Sequence, residues 1–383
     1  MKNDSLPALL AASHPVRSWV RAALEQTVLP HADEWERARG IPPGGWRELA
    51  AAGLFGLPSA GAGFMESAIL LEELGRTGYA GVRAAVAVHT YMTAFYLDRF
   101  GSPHQQAAYL PDVREGRRVA ALALSEPEAG TDLNGITTRA EPDGAGGYRV
   151  SGRKAHVTNG SRAGFFLCLA RVRTAGSRPR SLAGCGLLLV DADAPGVTTT
   201  AEPMVGWRAA DVCEVTLDSV PVPAGRLLGK AGHTLSYLMT ALDFERLVAG
   251  LLAIGGASRS LALTGSFARG HHVNGAPLAA NQAVRHTLAD LAAELDLVRT
   301  YGYSAAMRHA EGRLDTGTAS TLKLRATELA VSAARACTQY HGARGYREDS
   351  EIARVHRDAA AGTITAGASE LMRDLIFETT EFT

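Results

Sequence analysis

The segment ALDFERLVAG, residues 241–250, places a single glutamate, Glu245, among apolar residues. If the segment is helical, four apolar residues surround Glu245 at three- and four-residue spacing: Ala241, Leu242, Val248 and Ala249. A carboxylate rarely lies on such a face without a partner, whereas a dry pocket raises its pKa and makes it a better base. Glu245 is therefore a candidate functional residue. A buried ion pair or a subunit interface is the alternative role.

A second candidate site is the segment SEPEAGTD, residues 125–132, which follows the apolar stretch ALAL. It is rich in hydroxyl groups and turn residues, and its free backbone N–H groups could bind a heterocycle or a phosphate without a charged side chain. A surface turn is the alternative. His271 and His272 are adjacent, which is poor spacing for two ligands on one helix face, and we predict no metal site.

The elements that must position these residues fall into three regions. Residues 1–118 show apolar residues at helical spacing, residues 119–225 contain short β-branched segments separated by turns, and residues 226–383 are helical again. The last region has long helical segments at 233–268, 278–311, 317–341 and 367–380. The sequence thus predicts an α+β protein with an N-terminal helical domain, a middle β domain and a C-terminal four-helix bundle. The DGAGG segment is predicted to be a hairpin loop.

Charge and cysteine content narrow the function classes. The chain has 383 residues, with 39 Lys+Arg and 39 Asp+Glu, so its formal net charge is zero and no basic stripe favours nucleic acid. The four cysteines are scattered without CxxC spacing, which predicts reduced thiols rather than a zinc site or disulfides. No signal peptide and no apolar run of roughly 18 residues is recognised, so we expect a cytoplasmic protein without a membrane partner.

Several segments, in order along the chain, resemble the acyl-CoA dehydrogenase family: ILLEELGRT, SEPEAGTD, VSGRKAHVTNG, ALDFERL, QYHGARGY and RDAAAGTITAGASELMRDL. The resemblance implies FAD bound between the β domain and the bundle, and a homodimer or homotetramer in which a neighbouring subunit contacts the FAD. The implied reaction is the α,β-dehydrogenation of an acyl thioester of coenzyme A or of an acyl carrier protein. The electron acceptor would be a flavoprotein or oxygen.

The same resemblance implies cofactor contacts at Leu122, Leu124, Ser125, Thr131, His156, Thr158, His271, Asn274, Gln339, Gly342 and Ala368. Gln339 and Gly342 match a block that contacts the FAD of the partner subunit. The sequence departs from the family at His156, where an aromatic residue usually backs the flavin, and at Ala368, where a threonine is usual. His271 and Asn274 replace the arginine and phenylalanine that usually meet the pyrophosphate and the adenosine.

The position of the base is the main departure. Most of the family places a glutamate in a YEGTSE loop, but here the loop is TITAGASE, residues 363–370, with Ala366 at that position. A minority, the isovaleryl- and long-chain-type members, carries the base on the bundle helix, at the position of Glu245. The resemblance also implies substrate contacts at Thr131, Asp243, Arg246 and Ala366, and Arg246 is predicted to pair with Asp243 three residues earlier.

Two other functions stay open at the level of sequence. A flavin-dependent monooxygenase, such as an N-hydroxylase, needs no α-proton base, so it fits Ala366 but leaves Glu245 unexplained. Oxygen consumption with reduced flavin would identify it. A non-catalytic descendant of the family is the third possibility, and it would be purified without the yellow colour of a flavin.

Overall fold

The computed structural model describes residues 5–172, 182–230 and 232–381. The N-terminal part is helical, with helices α1 Leu6–Leu10, α2 Pro15–Thr27, α3 Ala32–Arg37, α4 Pro43–Ala51, α5 Phe64–Arg76, α6 Ala80–Ala87, α7 Ala94–Phe100 and α8 Pro103–Arg114. Helix α8 begins with a capping box, in which the Ser102 hydroxyl accepts from the N–H of Gln105 and the Gln105 side chain accepts from the N–H of Ser102.

The stretch 86–101 looks like one continuous helix in the sequence, but the structure divides it. Residues Val88–Thr93 form a π-helical segment between α6 and α7. Such segments are rare and occur mostly at functional sites. This one packs against the first strand of the β domain and against the longest helix of the bundle, which carries Glu245.

The middle part is a seven-stranded sheet. Its strands are β1 Ala120–Ala123, β2 Arg139–Pro142, β3 Tyr148–Val157, β4 Phe165–Val172, β5 Cys185–Asp191, β6 Val197–Ala201 and β7 Cys213–Val222. The parallel strands β1 and β2 pair with successive parts of β4, and β5 pairs antiparallel along it. The β2–β3 hairpin closes through Asp143, whose carboxylate accepts from the N–H groups of Ala145 and Gly147, so the hairpin-loop prediction is confirmed.

The C-terminal part is a helical bundle. Its long helices are α9 Thr234–Gly270, α10 Gln282–Ala310, α11 Thr316–His341 and α14 Ser369–Thr379. The hairpin strands β8 His272–Val273 and β9 Ala276–Pro277 follow α9, and the short helices α12 Glu351–Ala359 and α13 Ala361–Ile364 precede α14. Helix α9 packs against both α10 and α11, and α14 packs against α11. The predicted α+β fold class is confirmed, although the sequence did not reveal α12 and α13.

Helix α9 corrects the expectation about apolar runs. One 18-residue window of this helix reaches a mean hydropathy of 1.5, so by length and composition it could cross a membrane. In this structure 67% of that window is buried inside the protein. The central helix of a bundle must be apolar on all sides, because every face meets another element. The burial of α9 in the bundle therefore accounts for its composition.

The four cysteines are free and buried, as predicted from their spacing. Buried ion pairs, rather than disulfides, connect the N-terminal helices to the rest of the molecule. The guanidinium of Arg17 on α2 lies 2.9 Å from the carboxylate of Glu72 on α5, and Arg299 on α10 donates to the same carboxylate at 2.7 Å. The hydroxyl of Tyr303 completes the cluster by donating to Glu72 at 2.6 Å. This network joins three helices that are far apart in sequence.

Candidate active site

Glu245 lies in the first third of α9 and is only 5% exposed. Its helix neighbours Ala241 and Val248 are fully buried. The hydroxyl of Tyr96 on α7 donates to Oε1 of Glu245 at 3.3 Å. Among the residues that the structure describes, no cation forms a salt bridge with this carboxylate. The alternative role of Glu245 as a buried ion-pair residue is therefore not supported.

This environment shifts the ionisation of Glu245 strongly. Burial raises the pKa of its carboxyl group from an ordinary value of 4.5 to about 7, against smaller lowering effects of the Tyr96 hydrogen bond and the Arg246 charge. A carboxyl group with such a pKa is ionised in a substantial fraction of molecules at neutral pH. It is also a much better proton acceptor than an exposed carboxylate, which is the property that a general base needs.

Arg246 pairs with Asp243, as the sequence predicts. Its Nη1 lies 2.7 Å from Oδ1 of Asp243, and the hydroxyl of Thr316 donates to the other carboxylate oxygen at 2.8 Å. These contacts join α9 to the start of α11. Because Asp243 and Arg246 bind each other, this pair stabilises the contact between α9 and α11 beside Glu245. The charge of Arg246 still acts on Glu245 and keeps its pKa from rising further.

The TITAGASE loop is attached to α11, close to the Asp243–Arg246 pair. Ala366 adopts a left-handed backbone conformation with φ of 53°, which is unusual for a residue other than glycine. The buried ammonium of Lys323 on α11 donates to the carbonyl oxygen of Gly367. Burial and the nearby Arg246 charge lower the pKa of Lys323 to about 8. The loop is thus held next to the helix junction that carries Glu245.

The β domain brings together the residues predicted at the flavin ring. The backbone N–H of Ala155 on β3 donates to the carbonyl oxygen of Ser125 at 3.0 Å. The ammonium of Lys154 donates to the carbonyl oxygen of Leu124 at 2.9 Å. These two bonds attach the start of the SEPEAGTD loop to the end of β3, next to His156. Leu122, Leu124, Ser125 and Thr158 are half-buried there, and Thr131 is exposed at the far end of the loop.

Glu126 holds the loop in shape. Its carboxylate accepts from the backbone N–H groups of Thr137 and Thr138 at 2.6 and 2.9 Å, and from the ammonium of Lys154 at 2.9 Å. Although burial raises the pKa of Glu126, the Lys154 charge and these hydrogen bonds lower it to about 2. The sequence analysis did not identify this clamp. Its only signal is a glutamate and a lysine in two segments that resemble the same family.

His156 also has a left-handed backbone, with φ of 57°. Its N–H and its Nδ1 both lie 3.0 Å from Oε2 of Glu202, and its ring is largely exposed. The neighbouring Asn159, buried and also left-handed, donates to the carbonyl oxygen of Ala85 at 2.9 Å. The end of β3 is therefore fixed on both sides, and His156 presents its ring at the surface of the β domain.

A second group of predicted cofactor residues lies elsewhere. Phe267, near the end of α9, stacks on His271 and on His341 with ring centroids 4.7 and 4.2 Å away. This places the hairpin that carries His271 and Asn274 next to Gln339 and Gly342 at the end of α11. Glu245 and His271 are 26 residues apart on one helix, or about 39 Å. One chain thus carries the predicted FAD contacts in two separate groups.

The chain combines an N-terminal helical part, a middle β domain and a C-terminal helical bundle that carries the buried Glu245. Family models for the acyl-CoA dehydrogenase N-terminal, middle and C-terminal domains match residues 12–117, 121–220 and 232–380. The chain belongs to the acyl-CoA dehydrogenase family, so it is an FAD-dependent enzyme that dehydrogenates acyl-CoA.

Relatives and solved structures agree with this assignment. The mitochondrial long-chain specific acyl-CoA dehydrogenase of Mus musculus is 30% identical, over 96% of this chain and 86% of its own. The acyl-CoA dehydrogenase structure from Geobacillus kaustophilus is 32% identical, with a TM-score of 0.89 over 95% and 97% of the two chains. The prolyl acyl carrier protein oxidase AnaB is 26% identical, with a TM-score of 0.87 over 95% and 97%.

The residues present suit FAD. The flavin end of the site offers half-buried leucine side chains for a planar apolar ring, and the loop beyond it offers hydroxyls and exposed backbone in place of basic side chains. The Glu126–Lys154 clamp satisfies the buried charges internally, so it leaves the outer surface of the loop to the ligand. The contacts of His271, Asn274 and Ala368 to FAD stay predictions.

Proposed function

We propose that this enzyme performs α,β-dehydrogenation of an acyl thioester with Glu245 as the base that removes the Cα proton. When bound, FAD accepts the hydride that leaves Cβ. The protein supplies a proton acceptor in a dry pocket, with a pKa near the working pH, and positions it on a rigid helix rather than on a loop. The observation that carries this proposal is the buried Glu245 carboxylate, whose described hydrogen bond comes from a neutral hydroxyl.

Ala366 supports this proposal. The loop position that holds the base in most of the family has only a methyl group here, and Glu370, the remaining glutamate of the loop, is exposed. The loop is nevertheless tethered through Lys323 to the junction beside Glu245. The loop thus offers no carboxylate at the usual position of the base, whereas α9 offers the buried Glu245.

The separation of the predicted FAD contacts supports a homo-oligomer. The group formed by His271, Asn274, Gln339 and Gly342 lies about 39 Å along α9 from Glu245. Gln339 and Gly342 also match the family block that contacts the FAD of a partner subunit. We propose that this second group contacts the FAD of a partner subunit in a homodimer or homotetramer. The molecular mass of the FAD-loaded protein in solution tests this, and a monomer that retains FAD would contradict it.

The thioester carrier is the finer part of the proposal. The formal net charge is zero, and the structurally similar AnaB is named for a prolyl group on an acyl carrier protein. We propose that a carrier-protein thioester is an alternative substrate to acyl-CoA, since both present the same pantetheine arm. Turnover of one acyl group on coenzyme A and on a carrier protein distinguishes them. A large preference for coenzyme A would remove the carrier option. The electron acceptor is proposed to be a flavoprotein or oxygen.

The decisive experiment is anaerobic stopped-flow measurement of flavin bleaching by acyl thioesters. Glu245→Gln preserves volume and hydrogen-bonding capacity, so we expect the fold and the bound FAD to be retained. The rate of flavin reduction should fall by at least about 10²-fold, because a general base typically contributes that much. Glu370→Gln is the matched control in the exposed loop position and should reduce flavin at the wild-type rate. If Glu245→Gln also does so, Glu245 is structural and the proposed mechanism is wrong.

A further inference from the structure

Tyr96 is the partner of Glu245, and nothing in the sequence marks it for that role. It lies on α7, is fully buried, and donates from its hydroxyl to Oε1 of Glu245 at 3.3 Å. Among the described residues it makes the one hydrogen bond to this carboxylate. The second carboxylate oxygen, Oε2, is left without a described protein donor. The two oxygens of Glu245 are therefore in different environments.

We propose that Tyr96 is a positioning residue for the base, and this inference rests on the proposed role of Glu245. The phenol holds Oε1, fixes the rotation of the carboxyl group, and leaves Oε2 free to accept the Cα proton. A hydrogen bond to the charged form also favours that form. Tyr96 thus keeps a buried carboxylate ionisable near neutral pH without pairing it with a cation.

A neutral donor suits this task better than a charged one. In the same molecule Glu126 has the ammonium of Lys154 as its partner, and its pKa is about 2. A carboxylate with so low a pKa is a poor proton acceptor. Burial and the adjacent Glu245 charge raise the pKa of Tyr96 well above 10, so the phenol keeps its proton and stays a donor at any pH at which the enzyme works.

The surrounding aromatic rings hold Tyr96 in place. The neighbouring Phe95 packs on Phe244 at a centroid distance of 4.4 Å, and Phe244 precedes the base. On the other side, the Tyr96 ring lies 6.2 Å from that of Phe100, which stacks on Tyr237 of α9 at 4.4 Å. The seam between α7 and α9 is therefore packed on both sides of the Tyr96–Glu245 pair.

The other ionisable groups near Glu245 lie on α9 and on the neighbouring helices α10 and α11. On its own helix are Arg246 and Asp243, paired with each other at 2.7 Å. His309 of α10 stacks on Phe244, and burial lowers its pKa. Lys323 of α11 lies near Arg246, and its pKa is about 8. Because these groups are the same in wild type and in a Tyr96 variant, the difference between two pH profiles reports on Tyr96 alone.

The test is the pH dependence of anaerobic flavin reduction in the FAD-loaded enzyme. Tyr96→Phe removes only the hydroxyl. A hydrogen bond to a charged group is typically worth about 1.5 kcal/mol or more, so the midpoint of the profile should rise by about one pH unit. The rate at the high-pH plateau should fall about tenfold, because the carboxylate is less well oriented. Tyr91→Phe removes a hydroxyl from another fully buried tyrosine of the same stretch and should leave the midpoint unchanged.

A second variant should shift the midpoint of the pH profile in the opposite direction. Site-specific 3,5-difluorotyrosine at position 96 makes the phenol a stronger donor, so the midpoint should move down. It also decides the matter if Tyr96→Phe loses FAD or fails to fold. Unchanged midpoints would overturn the inference and leave Tyr96 as a packing residue. Failure of the proposed function is distinguishable, because Glu245→Gln would then reduce flavin at the wild-type rate whatever Tyr96 does.

Discussion

Glu245 and Glu126 are two glutamates with the same exposed fraction and opposite ionisation behaviour. Each is 5% exposed, yet the pKa of Glu245 is about 7 and that of Glu126 about 2. Glu245 receives one described hydrogen bond, from a neutral phenol. Glu126 receives two backbone N–H groups and the ammonium of Lys154. Burial alone does not decide what a carboxylate does, because the partners determine whether it stays charged.

The comparison separates two roles within one protein. A carboxylate paired with a cation and backbone donors is a fixed structural clamp, here for the loop predicted to bind the flavin. A carboxylate with a single neutral donor stays reactive, at an energetic cost to the folded state.

The largest effect is expected from breaking the clamp. Lys154→Met leaves the Glu126 carboxylate buried without its cation, which typically destabilises a protein by about 3–5 kcal/mol. The melting temperature should fall sharply, and FAD should dissociate more readily because the loop loses its support. Thermal unfolding and FAD retention on gel filtration measure both effects. Adding Glu126→Gln to Lys154→Met should recover part of the stability, and no recovery would mean that the lysine acts through packing alone.

The next largest effect is a gain in stability on removing the base. The folded pKa of Glu245, about 7, exceeds its ordinary value of 4.5, so the folded protein holds this proton more tightly than the unfolded chain. Wild-type stability is therefore lost as the pH rises through this window. Glu245→Gln should be more stable than wild type by about 3 kcal/mol at pH 8, with little advantage at pH 4.5.

Unfolding of the FAD-loaded proteins at several pH values checks this gain. Glu370→Gln, at an exposed position of the TITAGASE loop, is the control and should show no such pH-dependent difference. A Glu245→Gln advantage that is the same at pH 5 and pH 8 would show that Glu245 ionises normally. If the ionised carboxylate of Glu245 destabilises the folded protein, Glu245→Gln should show both lower activity and higher stability.

Moving the base to the loop is expected to have a smaller energetic consequence. In Glu245→Ala the added substitution Ala366→Glu should restore part of the flavin reduction lost in the single variant. The rate should lie between those of Glu245→Ala and wild type, because a displaced base removes the proton less efficiently than Glu245. Stopped-flow bleaching compares wild type, the single variant and the double variant. No recovery at all would mean that the loop does not reach the site of Glu245.

The smallest effect is expected at the residue next to the clamp. Arg153 precedes Lys154 on β3 and pairs with Glu214 at 2.6 Å, but its side chain is 60% exposed. Solvent screens such a pair, so Arg153→Met should change the free energy of unfolding by less than about 1 kcal/mol. Thermal unfolding of Arg153→Met and of Lys154→Met under the same conditions gives the comparison. A loss as large as that of Lys154→Met would contradict the role of burial.

Much of the fold could be predicted from the sequence. The order of helical and β-branched segments, the β2–β3 hairpin and the long bundle helices all depend on local periodicity and turn residues, which act over short stretches of chain. The π-helical segment at Val88–Thr93 was missed because an apolar stretch with helical spacing does not distinguish an α-helix from one with a wider turn. Helices α12 and α13 are short, and their patterns were too brief to recognise.

For the candidate site, too, some features could be predicted from the sequence and others could not. Residues a few positions apart show that Glu245 lies on an apolar helix face, that Arg246 can pair with Asp243, and that Ala366 cannot be a base. The partners of the two buried glutamates, in contrast, depend on how distant segments pack in the folded protein. Tyr96 is 149 residues from Glu245 and Lys154 is 28 residues from Glu126. The pKa of a buried carboxylate depends on donors within a few ångströms in space, and the packing of α7 on α9 and of β3 beside the loop brings those donors there.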